Sequence, residues 1–296
     1  MNVNLPIHGR YIVAVSGGID SVCLLHMLVQ RRSYDLVVAH FDHGIRRDSY
    51  LDQELVAGLA KTYKLKFYSK QENLGNGASE SIARRARYDF LYEVQKITRA
   101  EAIITAHHQD DRLETLVMNL IRGTGRKGIG SIVETDVIKR PLLNVCKQEL
   151  KSYAIQHKLS WREDSTNNDP RYLRNYVRHN VLPRLDHKAR GRLIELMDRQ
   201  SELNLEIDLG IRSLYSSNSG KAKLSRSLLS YLTYNESKEL IATWLRDNNL
   251  VNFDHKTIER ITLAAKTKKS GTKLDVYNRS QVVIDKEFLA LCMTER

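Results

Sequence analysis

The sequence predicts an α/β fold: a parallel sheet with helices on both faces, then a helical region and a small α+β C-terminal domain. Three observations predict it. Short apolar runs alternate with helical patterns over the first 121 residues, the pattern beyond Pro141 turns helical, and the chain closes on strand-like alternation. Strands that alternate with helices imply right-handed crossovers and a sheet covered on both faces.

The elements follow in order. Tyr11-Ile-Val-Ala-Val15 is an apolar run that ends in a glycine turn, with a helical pattern from Asp20 to Arg32 behind it. Leu36-Val-Val-Ala-His40 repeats the strand signal, and Leu51–Tyr63 has helical spacing. A weaker strand at Lys66–Ser69 precedes a long helix from Ser79 to about Arg99. Ala102-Ile-Ile-Thr-Ala106 is the fourth strand, followed by a helix over Asp110–Ile121. The turn Thr124–Ser131 breaks the alternation. Helical patterns then cover Cys146–Lys158, Leu173–Leu182 and Lys188–Tyr215. Ser216-Ser-Asn-Ser-Gly220 reads as a linker, Glu236–Arg246 and His255–Ala265 as helices, and Lys273–Tyr277 with Gln281–Ile284 as strands around an Asn278-Arg279-Ser280 turn. The domains expected are residues 1–185, a helical connector over 186–215 and a small domain over 216–296.

A chain of 296 residues, 42% hydrophobic and 28% charged, buries a sizeable core without staples. Its 47 Lys and Arg outnumber 35 Asp and Glu, for a net charge of +12. Such an excess points to an anionic partner, nucleic acid first, or to a generally basic surface. Residues 139–200 hold most of it, with 14 basic against 7 acidic residues, and there arginines interleave with tyrosines. Guanidinium groups bind phosphate and aromatic faces stack on unpaired bases; a solvated helix face is the alternative. Cys23, Cys146 and Cys292 are too few and too scattered for a disulfide framework or a CxxC site. With no apolar run near the roughly 18 residues of a membrane span and no leader pattern, a soluble cytoplasmic protein with no membrane partner is expected.

Ser16-Gly-Gly-Ile-Asp-Ser21 lies between a strand and a helix. Glycines let backbone approach a ligand, and the helix N-terminus attracts phosphate. Ser16 and Ser21 add hydroxyls. Asp20 would repel bare phosphate, so its carboxylate suggests an intervening Mg²⁺. The string is neither a Walker A loop nor a GxGxxG fingerprint.

SGGIDS resembles the pyrophosphate loop (PP-loop) of the N-type ATP pyrophosphatases, adenine nucleotide alpha hydrolase-like proteins that split ATP between its α- and β-phosphates. Further strings resemble the tRNA(Ile)-lysidine synthetase family within it: His40-Phe-Asp-His-Gly44 at its adenine pocket, Glu80-Ser-Ile-Ala-Arg-Arg-Ala-Arg-Tyr88, Thr105-Ala-His-His-Gln-Asp-Asp-Arg-Leu-Glu-Thr115, Arg140-Pro-Leu-Leu143, Glu163-Asp-Ser-Thr-Asn167, and Asn175-Tyr-Val-Arg-His179 before Leu182-Pro183. They keep the family's order from residue 11 to about 184, roughly 60% of the chain.

The resemblance implies ATP and Mg²⁺ as cofactors, with Ser16, Gly17, Gly18, Ile19, Asp20, Ser21 and Arg84 at the nucleotide. It implies Asp20 and Asp111 as holders of Mg²⁺ on ATP, Glu114 orienting an attacking amine, and Arg87 and Arg178 neutralising charge. Asp111 and Glu114 share a helix face, but Asp110 stands four before Glu114 and spacing leaves it open. His107 and His108 cannot easily share a zinc ion from adjacent extended positions. Arg84 and Arg87 also fit surface salt bridges, and Arg122-Gly-Thr-Gly125 fits a mobile lip or an ordinary loop. The implied reaction joins free L-lysine to the wobble cytidine of a tRNA(Ile) with a CAU anticodon, with the basic segment and the terminal domain binding RNA. Alternatives are a tRNA thiolase, a small-molecule amidating synthetase and a non-catalytic RNA-binding sensor of ATP or AMP.

Overall fold

The computed structural model describes residues 9–31, 33–44, 48–73, 75, 80–130, 132–163, 173–218, 222–250, 253–277 and 280–293. The chain forms two compact units, residues 1–200 and 201–296. The Thr124–Ser131, Glu163–Asn167, Ser216–Gly220 and Asn278–Ser280 strings, and the Ser79 helix start, lie partly or wholly outside the described residues.

In the first unit, five parallel strands stand in the order β3-β2-β1-β4-β5. They are β1 Arg10–Ala14, β2 Asp35–Asp42, β3 Lys66–Gln71, β4 Ala102–Ile104 and β5 Ile138–Lys139. Between them run helices α1 Ile19–Gln30, α2 Tyr50–Thr62, α3 Glu80–Thr98, α4 Gln109–Ile121 and the short α5 Arg126–Gly130. The pleat explains the layers. Tyr11, Val13, Leu36 and Val38 point to one face and join Leu24, Leu28 and Val56 of α1 and α2. Ile12, Val37, Ala39 and Phe41 point to the other face and meet Phe90, Leu91 and Val94 of α3. Both faces are buried, so the strands are continuous apolar runs.

Connections from β1 lead outward through β2 to β3, whereas β4 returns to the opposite side of β1. The sheet therefore has a topological switch point between β1 and β4, and a crevice opens beyond their carboxyl ends. Helix α6 Lys147–Gln156 covers the first face, with Leu150 and Ala154 packed beside Leu142. Leu142 is wholly buried, so the Arg140–Leu143 string is partly core. Buried Arg140 likewise binds the Val133 carbonyl, and its N–H donates to Glu134.

The helix expected over Leu173–Leu182 is a single α turn, α7 Leu173–Tyr176, that widens into a π turn over Val177–Val181 and tightens before Pro183. Val177 and Leu182 pack there on Leu113 and Leu116 of α4. Helix α8 His187–Asn218 runs unbroken through the expected connector and into the expected linker, and the division between units falls within it.

The second unit is an antiparallel sheet in the order β6-β9-β8-β7: β6 Lys223–Ser225, β7 Lys273–Tyr277, β8 Ser280–Ile284 and β9 Phe288–Met293. Helices α9 Arg226–Tyr231, α10 Tyr234–Asp247 and α11 His255–Thr267 complete it. Trp244, Leu240 and Ile261 fill its core against Val282 and Ile284. Thr233 and Glu236 close a reciprocal cap at the start of α10. Among the described residues, no helix is long and apolar enough to cross a membrane.

Leu142→Ala is expected to cost about 2–5 kcal/mol in urea unfolding while removing no side chain from the crevice.

Candidate active site

The glycine turn after β1 sets the site. Gly17 has φ +90°, a conformation that side-chain-bearing residues rarely adopt, and a Cβ there would meet the Asp52 Cβ at 3.3 Å. Its carbonyl accepts the Arg162 N–H at 3.0 Å. The Arg162 guanidinium also binds Asp52 at 2.7 Å and Asp48 at 2.8 Å, so one arginine fixes the loop from behind. Within the loop, Ser21 Oγ donates to the Gly18 carbonyl, accepts from the Ser16 N–H and lies 3.2 Å from Ser16 Oγ. Gly18 stands at the N-cap of α1 without a side-chain cap, and Ile19 begins the helix. The positive end of a twelve-residue helix thus faces the crevice without a side-chain acceptor from its own cap.

The crevice, about 350 Å³, is lined by Ser16, Asp20 and Ser21 from the loop, by Asp111 and His107 beyond β4, and by Arg87 of α3. His40 and Phe41 of β2 line it too. His40 Nδ1 lies 2.8 Å from the Val15 carbonyl and must donate to it. Burial pushes this imidazole down, so it is neutral and its Nε2 is an acceptor, one that has no hydrogen-bond partner among the described residues.

Two helix N-termini bring the carboxylates together. Asp20 lies in the first turn of α1, and Asp111 in the first turn of α4, where its side chain accepts the His108 N–H in a reciprocal cap. The His108 Nδ1 accepts the Asp110 N–H, which leaves the ring proton on Nε2, 3.6 Å from Asp20 and 3.5 Å from Asp111. Lys147, the first residue of α6, places Nζ 2.6 and 2.7 Å from the two oxygens of Asp20. Burial alone would raise the Asp20 carboxyl, but His108 and Lys147 outweigh it and hold the group at about 2. The carboxylate is therefore ionised at neutral pH. Two carboxylates beside a glycine turn at a helix N-terminus, one of them ionised and already drawing an ammonium and an imidazole N–H, fit Mg²⁺ held jointly with phosphates. Asp110 faces away: its oxygens accept the Lys147 N–H and the Arg190 guanidinium.

Glu114 and Arg178 do not line the crevice. Glu114 is 1% exposed, and both its oxygens receive Arg178 N–H groups at 2.7 and 3.0 Å, with the Arg174 guanidinium at 3.4 Å. Burial raises its carboxyl against the pull of Arg178. Arg84, expected at the nucleotide, is exposed on the Tyr88 ring 4.9 Å away and is not a lining residue; Arg87, 5.7 Å from the same ring, is. Arg122–Gly125 do not line the crevice either. His107 and His108 diverge as expected, the first toward the crevice and the second into the carboxylate pair.

Sequence reasoning missed Lys147, Arg162 and Arg174. Arg174 directly precedes the Asn175–His179 string, whereas Lys147 and Arg162 signal only through the surplus of basic residues over 139–200. Six of those residues, Arg140, Lys147, Arg162, Arg174, Arg178 and Arg190, bind acidic side chains or carbonyls inside this unit. The three cysteines differ in setting. Cys23 is buried with its thiol donating to the Leu150 carbonyl and pushed up to about 12 by burial, Cys146 caps α6, and Cys292 belongs to the second unit.

Two predictions follow from this electrostatics. Burial first, then Arg140, Arg87 and Arg84, push His107 down to about 3 despite Asp111, so it is neutral when folded. The unfolded chain takes a proton near pH 6.5 that the folded chain refuses, so this term lowers stability as pH falls from 6.5 toward 5. His108 works oppositely: burial lowers it, but Asp20 and Asp111 raise it overall, and its contribution is lost as pH rises through its folded value. Urea unfolding of His107→Asn between pH 5 and 8 should show a flatter acid-side slope than the parent chain. Glu114→Ala leaves Arg178 without its carboxylate, Arg174 keeping Glu80, and is expected to cost about 3 kcal/mol in urea unfolding, the low end for a broken buried pair, because Arg178 is partly exposed.

A family model described as a PP-loop domain matches residues 3–185. Curated tRNA(Ile)-lysidine synthases are similar, including that of Solibacter usitatus, 37% identical over 65% of this chain and 44% of the relative. That of Exiguobacterium sibiricum is 41% identical over 59% of this chain and 43% of the relative. The chain thus spans less than half the length of these two relatives. Among solved structures, the U34-tRNA thiolase NcsA from Methanococcus maripaludis, with its [4Fe-4S] cluster, shares the fold at TM-score 0.55 and 17% identity, over 67% of this chain and 74% of that one. A loop strained at Gly17, a helix N-terminus beyond it and a crevice at the β1/β4 switch point agree with the sequence match, and the chain belongs to the PP-loop family of ATP-binding domains.

Proposed function

We propose that this protein ligates L-lysine to C2 of the wobble cytidine of tRNA(Ile) bearing a CAU anticodon, at the expense of ATP, in a cytoplasmic setting. One observation carries the reading: the Asp20–Asp111 pair sits beside the PP-loop in a chain whose curated relatives are tRNA(Ile)-lysidine synthases. The cytosine C2 oxygen attacks the α-phosphorus of ATP, a new O–P bond forms, and pyrophosphate leaves. The lysine ε-amine then attacks C2, the C2–O bond breaks, and AMP departs with that oxygen while the amine proton passes to a carboxylate.

Ser16, Gly17, Gly18, Ile19 and Ser21 would hold the triphosphate with the N-terminus of α1, and the His40 Nε2 would accept a hydrogen bond from the nucleoside. Asp20 and Asp111 would hold Mg²⁺, which when bound offsets charge on the leaving pyrophosphate. Arg87 would meet phosphate from the crevice wall. Glu114 enters as a positioning residue that aims Arg178, and a direct contact with the amine requires a guanidinium to swing away. Exposed Tyr176, between Arg174 of α7 and Arg178 of the π turn in the chain, supports stacking on an unpaired base. The thiolase alternative has less support, because the Cys23 thiol is buried and pushed far above neutrality.

The test supplies ATP, Mg²⁺, tRNA(Ile) CAU transcript and radiolabelled L-lysine, omitting each in turn. Pyrophosphate release and lysine transfer to RNA that need all four, and that Asp20→Asn lowers at least 100-fold, are expected. Pyrophosphate release without lysine transfer would favour thiolation, and nucleotide binding with neither product would favour a sensor.

A further inference from the structure

Lys147 has no part in the reading so far, yet it makes the shortest contacts to Asp20. Its Nζ bridges both carboxylate oxygens, so the ammonium sits where a cation shared by Asp20 and a phosphate would have to bind. Its backbone is fixed. Cys146 and Glu149 cap the helix start, and the Lys147 N–H donates to Asp110, which Arg190 holds in turn. Its side chain is not fixed in the same way. It is 44% exposed on a flexible four-carbon stem. An ammonium bridging both oxygens of Asp20 disfavours a divalent ion at the same carboxylate, since the two cations repel at contact distance.

We propose that Lys147 is a placeholder cation: it neutralises Asp20 when no nucleotide is present and yields that carboxylate to Mg²⁺ only when a triphosphate arrives to receive its ammonium. Free metal would have to break the Lys147–Asp20 pair with nothing offered in exchange. Metal accompanied by ATP brings phosphate oxygens within the same crevice, so the ammonium trades one anion for another. Lys147 thus couples metal binding to nucleotide binding, and in the loaded site it adds a positive charge at the triphosphate. This inference rests on the ATP and magnesium part of the proposed function, and neither tRNA nor lysine enters its test.

Mn²⁺ binding to the full chain, followed by electron paramagnetic resonance with and without α,β-methylene-ATP, tests it. Without nucleotide, Lys147→Met should bind Mn²⁺ about tenfold more tightly than the parent chain, and the analogue should tighten Mn²⁺ binding less in the variant than in the parent. Lys147→Arg, which keeps the charge, should behave like the parent, and adding Asp20→Asn to Lys147→Met should erase the gain. Equal Mn²⁺ affinities of parent and Lys147→Met without nucleotide, with both still taking up the analogue, would overturn the placeholder role. So would a gain that persists in the Asp20→Asn background. Failure of the parent chain to take up the analogue with Mn²⁺ would overturn the nucleotide reading itself, a result distinct from the other two.

Discussion

Two helices, α1 and α4, start at the same crevice, and each carries a carboxylate in its first turn. The arrangement has a cost: anions are drawn to helix N-termini, but two of them so close repel unless a positive group stands between. His108 meets that requirement from the cap of α4, where its Nδ1 holds a backbone N–H and its Nε2 faces both acids. Much of the unit is arranged around this contact. Residues 105–108 leave β4 extended so that His108 reaches the cap, and α6 begins where its first side chain can reach Asp20.

A second layer of charge supports the first. Arg178 and Arg174 grip buried Glu114, and Arg112 joins Asn144 and Asp198, tying α4 to the segments on either side. Half-exposed guanidinium groups around a buried carboxylate give fixed direction more than stability. For a reaction in which negative charge builds on phosphate, fixed direction is the useful property, because groups already oriented need not reorganise when the charge appears.

Much of this was legible in the sequence. The apolar runs that became β1, β2 and β4 are continuous because helices cover both faces, and the Ser16–Ser21 string marks the glycine turn between β1 and α1. Asp110 and Asp111 could not be separated by spacing; the capping bond of Asp111 to His108 separates them. Strand β5, two residues long among charged neighbours, has too little periodicity to read, and β6 and β9 lacked the flanking turn signals of their partners. Lys147, Arg162 and Arg174 were hidden for a different reason. Their partners lie 127, 110 and 94 residues away in the chain for Asp20, Asp52 and Glu80, and a charge count cannot distinguish an internal pair from a solvated one.

Those separations also bear on the order in which the protein is made. The Ser16–Ser21 turn is synthesised well before its partners, so its carbonyl tie to Arg162 and the Asp20 tie to Lys147 wait for residues far downstream. A nascent chain that ends before α6 can pair β1, β2, β3 and β4 but has neither closure, and closing loops of such length is slow. During synthesis the Ser16–Ser21 string is thus present well before its ties are, and the emergence of α6 and Arg162, not that of the string itself, sets the moment at which the turn is fixed as it stands in the folded unit.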